Sequence, residues 1–479
     1  MHFVTPNKAI EPTDLLVIGS GFGALFFAHK FLQRHPTKKI TILEWGSHKS
    51  LSDQIKDRKN SDKETNETFV NNGTKPWNFS IGLGGSSNCW WALTPRLHPN
   101  DFNLHTHYGV GTDWPINYDH LASYYSEAER IMMVAGPDDL DRVYPGVKRY
   151  SQPAHRMTSA DKILKAASPD AHFALPSAKL SQAHQGRGRC CSAGTCNLCP
   201  TDARFSLLNG MREVLSHPNV RICLNAEVKE IDLANNLAGR VYFQHDEQLY
   251  AASGDLVALG AGAIHAPFIL TRSGDTSGAL GRYLGEKLHA TAEIKLEGLK
   301  HFDGGSVTTA FNVSLLDGDH RRDHGAVLYM TDNHYGQFGL RRSPNRWREV
   351  MPVTIFVEDI PDAENRVIDG GLGKPVVQHS GYSEYALKGF QRALEKIPEV
   401  FEALPIESVS FHHIHGTANH VQGTVRMGMD PETSVVDDKQ VHHKYRNLVV
   451  VGTSVFPTIG TANPTLTASA LSLRAAEAL

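Results

Sequence analysis

Asp14-Leu-Leu-Val-Ile-Gly19-Ser20-Gly21-Phe22-Gly23-Ala24 is the stretch that decides the fold. Leu15 to Ile18 is short, apolar and partly β-branched, the pattern of a strand covered on both faces in a parallel sheet. Glycines follow at once. Gly19 makes the tight turn, Gly21 leaves the backbone open to a pyrophosphate, and Ala24 takes the third position, where a small side chain lets a helix pack on the strand. That helix, running through Phe31, points its positive N-terminus at the phosphates. A second strand, Lys39 to Leu43, ends in Glu44, roughly twenty residues past the glycines, where a carboxylate can accept hydrogen bonds from a ribose diol. Strand, turn, helix, strand and acid in this order predict a dinucleotide-binding α/β unit. They do not separate NAD from FAD.

The rest of the chain sets bounds on that unit. At 479 residues it exceeds the size of a single growing core, so two domains or one composite fold are expected. A hydrophobic fraction of 41% and a charged fraction of 21% describe a globular protein. The net charge of -3 argues against nucleic acid as a partner, which would need a basic excess. No run of 18 or more apolar residues predicts a transmembrane segment, and no apolar leader precedes Asp14. A cytoplasmic location follows, or export bound to a signal-bearing partner. Four of the six cysteines crowd between positions 190 and 199.

Further motifs choose the dinucleotide. Gly82-Leu-Gly84-Gly85-Ser86-Ser87-Asn88-Cys89-Trp90-Trp91 and Trp114-Pro-Ile-Asn-Tyr-Asp119 resemble signatures of the glucose-methanol-choline (GMC) family of FAD oxidoreductases. So does the closing segment from His420-Val-Gln-Gly423-Thr424-Val-Arg426-Met427-Gly428 to Asn463-Pro464. Gly260-Ala-Gly-Ala-Ile-His-Ala-Pro267 and Pro361-Asp-Ala-Glu-Asn365 extend the resemblance over most of the chain.

The resemblance implies a Rossmann-like FAD-binding domain interleaved with a substrate domain built on an antiparallel sheet with flanking helices. Residues 1–105, 185–290 and 412–479 would form the first domain, and 106–184 and 291–411 the second. It implies that the cofactor lies against Gly84, Gly85, Ser86, Ser87 and Asn88, whose backbone amides donate without bulk. Val228, Gly452, Thr453, Asn463, Pro464 and Thr465 join the same cofactor set. Trp90, Trp91 and Thr94-Pro95-Arg96 look more like the pyranose 2-oxidase branch, in which a histidine near the position of Cys89 carries FAD covalently. Cys89 breaks that pattern and leaves noncovalent FAD and a thioether both open. At Gly452 many relatives place an aspartate, so that contact is not carried over.

Oxidising an alcohol to a carbonyl needs a base within hydrogen-bond reach of the hydroxyl, and histidine has the suitable range. The resemblance makes His420 that base and Asn463 its partner on the substrate oxygen. Asn463 precedes a proline, which biases its backbone away from helix. His412, His413 and His415 suggest a metal site with His420, but strand alternation turns His412 away from the other two.

Arg189-Cys190-Cys191-Ser-Ala-Gly-Thr-Cys196-Asn-Leu-Cys199-Pro200 is compact enough for three or four metal ligands. Its glycine and terminal Cys-Pro suit a loop around an iron–sulfur cluster. It also resembles the cluster segment of the catalytic subunit in bacterial FAD-dependent glucose dehydrogenases, with one gap a residue shorter. A 3Fe-4S or 4Fe-4S cluster, a zinc site and metal-free cysteines remain open.

Residues 47–78 read as a long polar surface loop, either a lid or a solvated segment. Strands are expected over Val220 to Val228, Leu256 to Leu259 and Val353 to Val357. Leu387, Phe390, Leu394 and Ile397 recur at helical spacing until Pro398 interrupts them. The expected function is FAD-dependent oxidation of an alcohol or sugar CH-OH group, passing electrons to a carrier protein or small subunit. An oxygen-using oxidase and a non-redox FAD lyase of the same fold are the alternatives.

Overall fold

The computed structural model describes residues 1–333 and 346–479, without the side chain of His412. Thr13–Ile18 is the central strand of a five-stranded, all-parallel sheet. The order is Leu448–Val450, Gly254–Leu259, Thr13–Ile18, Ile40–Leu43, Val220–Cys223. Leu15, Leu16 and Val17 are completely buried, as the unbroken apolar run requires of a strand covered on both faces. Helix Phe22–Arg34 starts at Gly21 and buries Leu25, Phe26, Phe27 and Ala28. Helix Thr465–Glu477 packs on it. Small residues make this approach close, since Ala468, Ala470, Ser472, Ala475 and Ala476 are all buried.

The second layer is a six-stranded sheet in the order Ile406–Ile414, Leu288–Leu296, Val350–Val357, Val327–Asp332, Thr308–Asn312, His172–Ala174, antiparallel throughout. Along Leu288–Leu296 burial alternates residue by residue. Leu288, Ala290, Ala292 and Ile294 face a core closed by helix Glu384–Val400 through Phe390, Ala393 and Ile397. His289, Thr291 and Glu293 face the other way.

Three expectations need correction. The stretch 220–228 is two strands, because Asn225 turns the chain through a positive φ of 53°. Val220–Cys223 stays in the parallel sheet, while Glu227–Ala234 joins a separate antiparallel sheet. Pro398 does not end its helix, which runs to Val400. Residues 47–78 are built rather than loose. They hold a helix, Leu51–Asp57, with a complete capping box at Ser50 and Asp53, and Trp77 is 1% exposed. Apart from these corrections, helix Asp119–Ile131 packs on Thr465–Glu477 beside the parallel sheet. It is tied there by Arg96, whose Nε and Nη2 both donate to the Glu129 carboxylate at 2.7 Å. Among the described residues no helix is long and apolar enough to cross a membrane.

Candidate active site

The carboxyl ends of the parallel strands and the exposed face of the antiparallel sheet close on one cavity of about 1530 Å³. That exceeds the span of about 300–1,000 Å³ usual for small-molecule sites. The volume leaves room for a dinucleotide and a second ligand.

Its floor is the glycine turn. Gly19 has a φ of +86°, and a Cβ there would come within 2.7 Å of the Gly260 carbonyl oxygen. A Cβ on Gly21 would meet nothing within 4 Å, so its backbone is bare toward the cavity. The sequence reading missed Gly23, where a Cβ would lie 2.5 Å from the Gly452 nitrogen. The helix therefore touches the C-terminal loop through Gly23, while Ala24 packs behind it against Gly260.

Glu44 is buried at the cavity wall. Its carboxylate accepts from Ser20 Oγ at 2.5 Å and from the Gly46 amide at 2.8 Å. Burial pushes it up to about 7, against the pull of these bonds.

The 84–89 segment folds into a single 3-10 turn, Gly85–Asn88. Gly85, Ser86 and Cys89 line the cavity. Gly84, Ser87, Asn88 and Ala24 lie behind that lining. The Gly84 amide donates to Ser20 Oγ at 2.9 Å, Ser87 Oγ accepts from the Leu207 amide at 3.1 Å, and Asn88 Nδ2 donates to the Leu83 carbonyl at 3.0 Å. Ser87 and Asn88 thus turn inward and brace the turn whose Gly85 and Ser86 line the cavity. Burial pushes the Cys89 thiol up. Val228, Gly452, Thr453, Pro464 and Thr465 all line the cavity.

His420 and Asn463 meet at the junction of the two sheets. Asn463 Nδ2 lies 3.1 Å from His420 Nε2. With the amide donating, Nε2 carries the ring's lone pair. Pro464 caps helix Thr465–Glu477 and fixes the turn that presents Asn463. Burial, reinforced by the charges of Lys287 and His289, holds the His420 imidazole well below its usual range. The ring is therefore neutral and able to take a proton. Asn463 Oδ1 is buried and lacks a donor.

These groups fit FAD. Bare backbone at Gly21 and Gly452 suits a pyrophosphate and a flavin edge, Glu44 suits a ribose, and the unmatched Asn463 oxygen marks where a further hydrogen-bond donor belongs.

The roof carries His289, Thr291, Glu293, Thr308, Asp332, Thr354, His413 and His415. Of its side chains the sequence singles out only His413 and His415, as candidate metal ligands. Thr291 Oγ1 is 2.8 Å from His415 Nε2, and the His289 and His415 rings stack at 4.1 Å. Asp332 accepts from Thr308 at 2.5 Å and Thr354 at 2.7 Å, and burial raises it to about 6. The available signal was the polar alternation of His289, Thr291 and Glu293.

The cysteine loop touches the main cavity through Asn197 and surrounds a second space of about 10 Å³ that it shares with Lys179 and Arg204. All its thiols are free. Among the described residues no group of three or more His, Cys, Asp or Glu is placed to hold a metal. Cys190, Cys191, Cys196 and Cys199 all border this second space. Cys191 is exposed, while Cys190 points to Ser306 Oγ at 3.7 Å and Cys199 to Thr201 Oγ1 at 3.9 Å.

Residues 366–472 match the family model of the GMC oxidoreductases. The chain is 26% identical to the fructose dehydrogenase large subunit of Gluconobacter japonicus, over 97% of each chain. It is also 26% identical to the 6'''-hydroxyparomomycin C oxidase of Streptomyces lividus, over 99% of this chain and 92% of that one. The formate oxidase of Aspergillus oryzae, a structure solved to study modification of its FAD, shares the fold, with a TM-score of 0.66 and 15% identity over 98% of both chains.

Proposed function

We propose that this chain, a GMC oxidoreductase, holds FAD in its central cavity and oxidises a CH-OH group of a sugar or small polyol to a carbonyl. The observation that carries the reading is the 3.1 Å approach of Asn463 Nδ2 to His420 Nε2 at the wall where a dinucleotide cradle meets a polar roof. Gly21, Glu44, Gly85, Ser86, Gly452 and Thr453 would hold the cofactor, which supplies a two-electron acceptor for the hydride. The remaining work falls to side chains. His420 Nε2 accepts the hydroxyl proton, and the Asn463 amide donates to the same oxygen as negative charge develops there. Buried walls exclude water, and the roof's hydroxyl, imidazole and carboxyl groups suit a substrate with several hydroxyls.

An acceptor other than oxygen and an accessory subunit are supported by the likeness to a fructose dehydrogenase large subunit. A second reading, that electrons leave through an iron–sulfur cluster in the cysteine loop, is favoured by one observation. The buried cations Lys179 and Arg204 border that loop, where an anionic cluster would need them. Among the described residues its thiols are not placed as a metal-ligand group.

Anaerobic incubation of the purified yellow protein with hexoses, hexitols and 1,2-diols, followed by absorbance, tests the main reading. One of these compounds is expected to bleach the flavin bands and yield a carbonyl product. A flavin bleached by none of them would contradict it. Iron and acid-labile sulfide in stoichiometric amounts would carry the second reading, and their lack would remove it.

A further inference from the structure

Glu286 and Lys287 are consecutive, an acid beside a base, and completely buried. They sit just before strand Leu288–Leu296, where Gly285 pairs through both backbone groups with Gln422. The Glu286 carboxylate accepts from the Ala418 amide at 3.0 Å and from the His420 amide at 2.9 Å. It also pairs with Lys75. Lys75 in turn donates to Tyr382 Oη at 3.0 Å and to the Gly416 carbonyl at 3.1 Å. One buried carboxylate thus anchors the loop that carries His420.

Lys287 points the other way, as neighbours on extended backbone do. Its Nζ donates to the Thr461 carbonyl at 2.6 Å, two residues ahead of Asn463. It lies 4.4 Å from the centre of the Phe356 ring, whose edge contacts His420. A core does not require such charges, since burying each costs several kcal/mol and apolar replacements are often as stable.

We propose that Glu286 and Lys287 are positioning residues for the reaction, one fixing the His420 loop and the other the Asn463 loop, so that a single dipeptide sets the gap between the two reacting side chains. This rests on the function proposed above.

The test measures the limiting rate of anaerobic flavin bleaching in FAD-loaded Glu286→Gln, Lys287→Met, Glu286→Asp and His420→Ala, using the substrate found in the panel. Glu286→Gln and Lys287→Met are expected to slow bleaching about 100-fold, the scale of an ångström's misplacement, with substrate binding changed by less than about threefold because neither residue touches substrate. The pH profile adds a readout that a structural role would not move. The charges acting on His420 are Lys287 and His289, with Glu286 and Lys75 at its backbone. Burial holds Lys287 itself well below the usual lysine range, so its charge bears on His420 over the acid range in which Nζ is protonated. Removing it there raises the imidazole, and the acid limb moves to higher pH. Removing the Glu286 anion leaves both lysines uncompensated, so the limb moves lower.

Rates within about threefold of the parent, or limbs that stay put or move together, overturn the proposal. Should the neutral variants fail to load FAD, Glu286→Asp decides. It keeps the charge but shortens the reach, so a slowed rate supports the proposal and an unchanged rate overturns it. Full activity in His420→Ala would instead condemn the proposed function. Loss there with normal Glu286→Gln and Lys287→Met rates would condemn only the dipeptide.

Discussion

Glu44 shows how a buried acid links cofactor binding to stability. Its folded carboxyl titrates at about 7 against an ordinary 4.5. Between these values the folded chain keeps a proton that the unfolded chain releases, so this group's contribution to stability falls as pH rises through the window. Glu44→Gln should flatten that slope in urea unfolding of the FAD-free protein at pH 4.5 to 7, and an unaltered slope would refute the assignment. The same change should weaken FAD binding roughly 10- to 100-fold, the worth of hydrogen bonds to a charged acceptor, as measured by fluorescence titration.

Arg96 is a structural counterpart, bidentate on Glu129 and buried. Arg96→Met strands the Glu129 charge and should cost about 3–5 kcal/mol, which Arg96→Met with Glu129→Leu should largely recover. At this scale the sequence is readable where a residue's neighbours along the chain define its task. Gly19, Gly21, Glu44, His420 and Asn463 stand in such strings and all line the cavity. Gly84, Ser87 and Asn88 do too, yet they lie behind the lining, where Ser87 and Asn88 brace the turn.

Strand Leu288–Leu296 illustrates the scale of elements. Its alternation of apolar and polar residues fixes one face on the helix Glu384–Val400 and presents His289, Thr291 and Glu293 to the cavity. Thr291→Val removes the hydroxyl that meets His415 at 2.8 Å. It should raise KM for the bleaching substrate about fivefold, one hydrogen bond's worth, with kcat little changed. A drop in kcat at unchanged KM would place Thr291 in the chemistry instead.

The helix itself was legible from the spacing of Leu387, Phe390, Leu394 and Ile397, which puts them on one face. Its end was not, since a proline gives up the hydrogen bond to the carbonyl four residues back without fixing where the helix stops, which is Val400. The break at Asn225 escaped notice for a similar reason. Leu224 and Ala226 continue an apolar run, and only a left-handed residue between them sends the chain to another sheet.

The whole molecule is an interleaving. The parallel sheet draws strands from residues 13–18, 40–43, 220–223, 254–259 and 448–450, and the antiparallel sheet fills the intervals. Strand order in either sheet depends on pairings far apart in sequence, which no local pattern encodes, and only the family resemblance made the arrangement foreseeable. The cavity lies between the layers, so a bound cofactor braces both. Stripping FAD should lower Tm, and restoring it at a hundred times Kd should return about 2.7 kcal/mol of stability. Equal Tm values with and without FAD would mean that the cavity does not hold it.

The central claim is that His420 takes the hydroxyl proton beside the flavin. It is tested most directly by the rate of anaerobic flavin bleaching in the parent and in His420→Ala at equal FAD content. A fall of at least about 100-fold, the usual share of a general base, is the predicted result, and a variant that bleaches as fast as the parent would contradict the account.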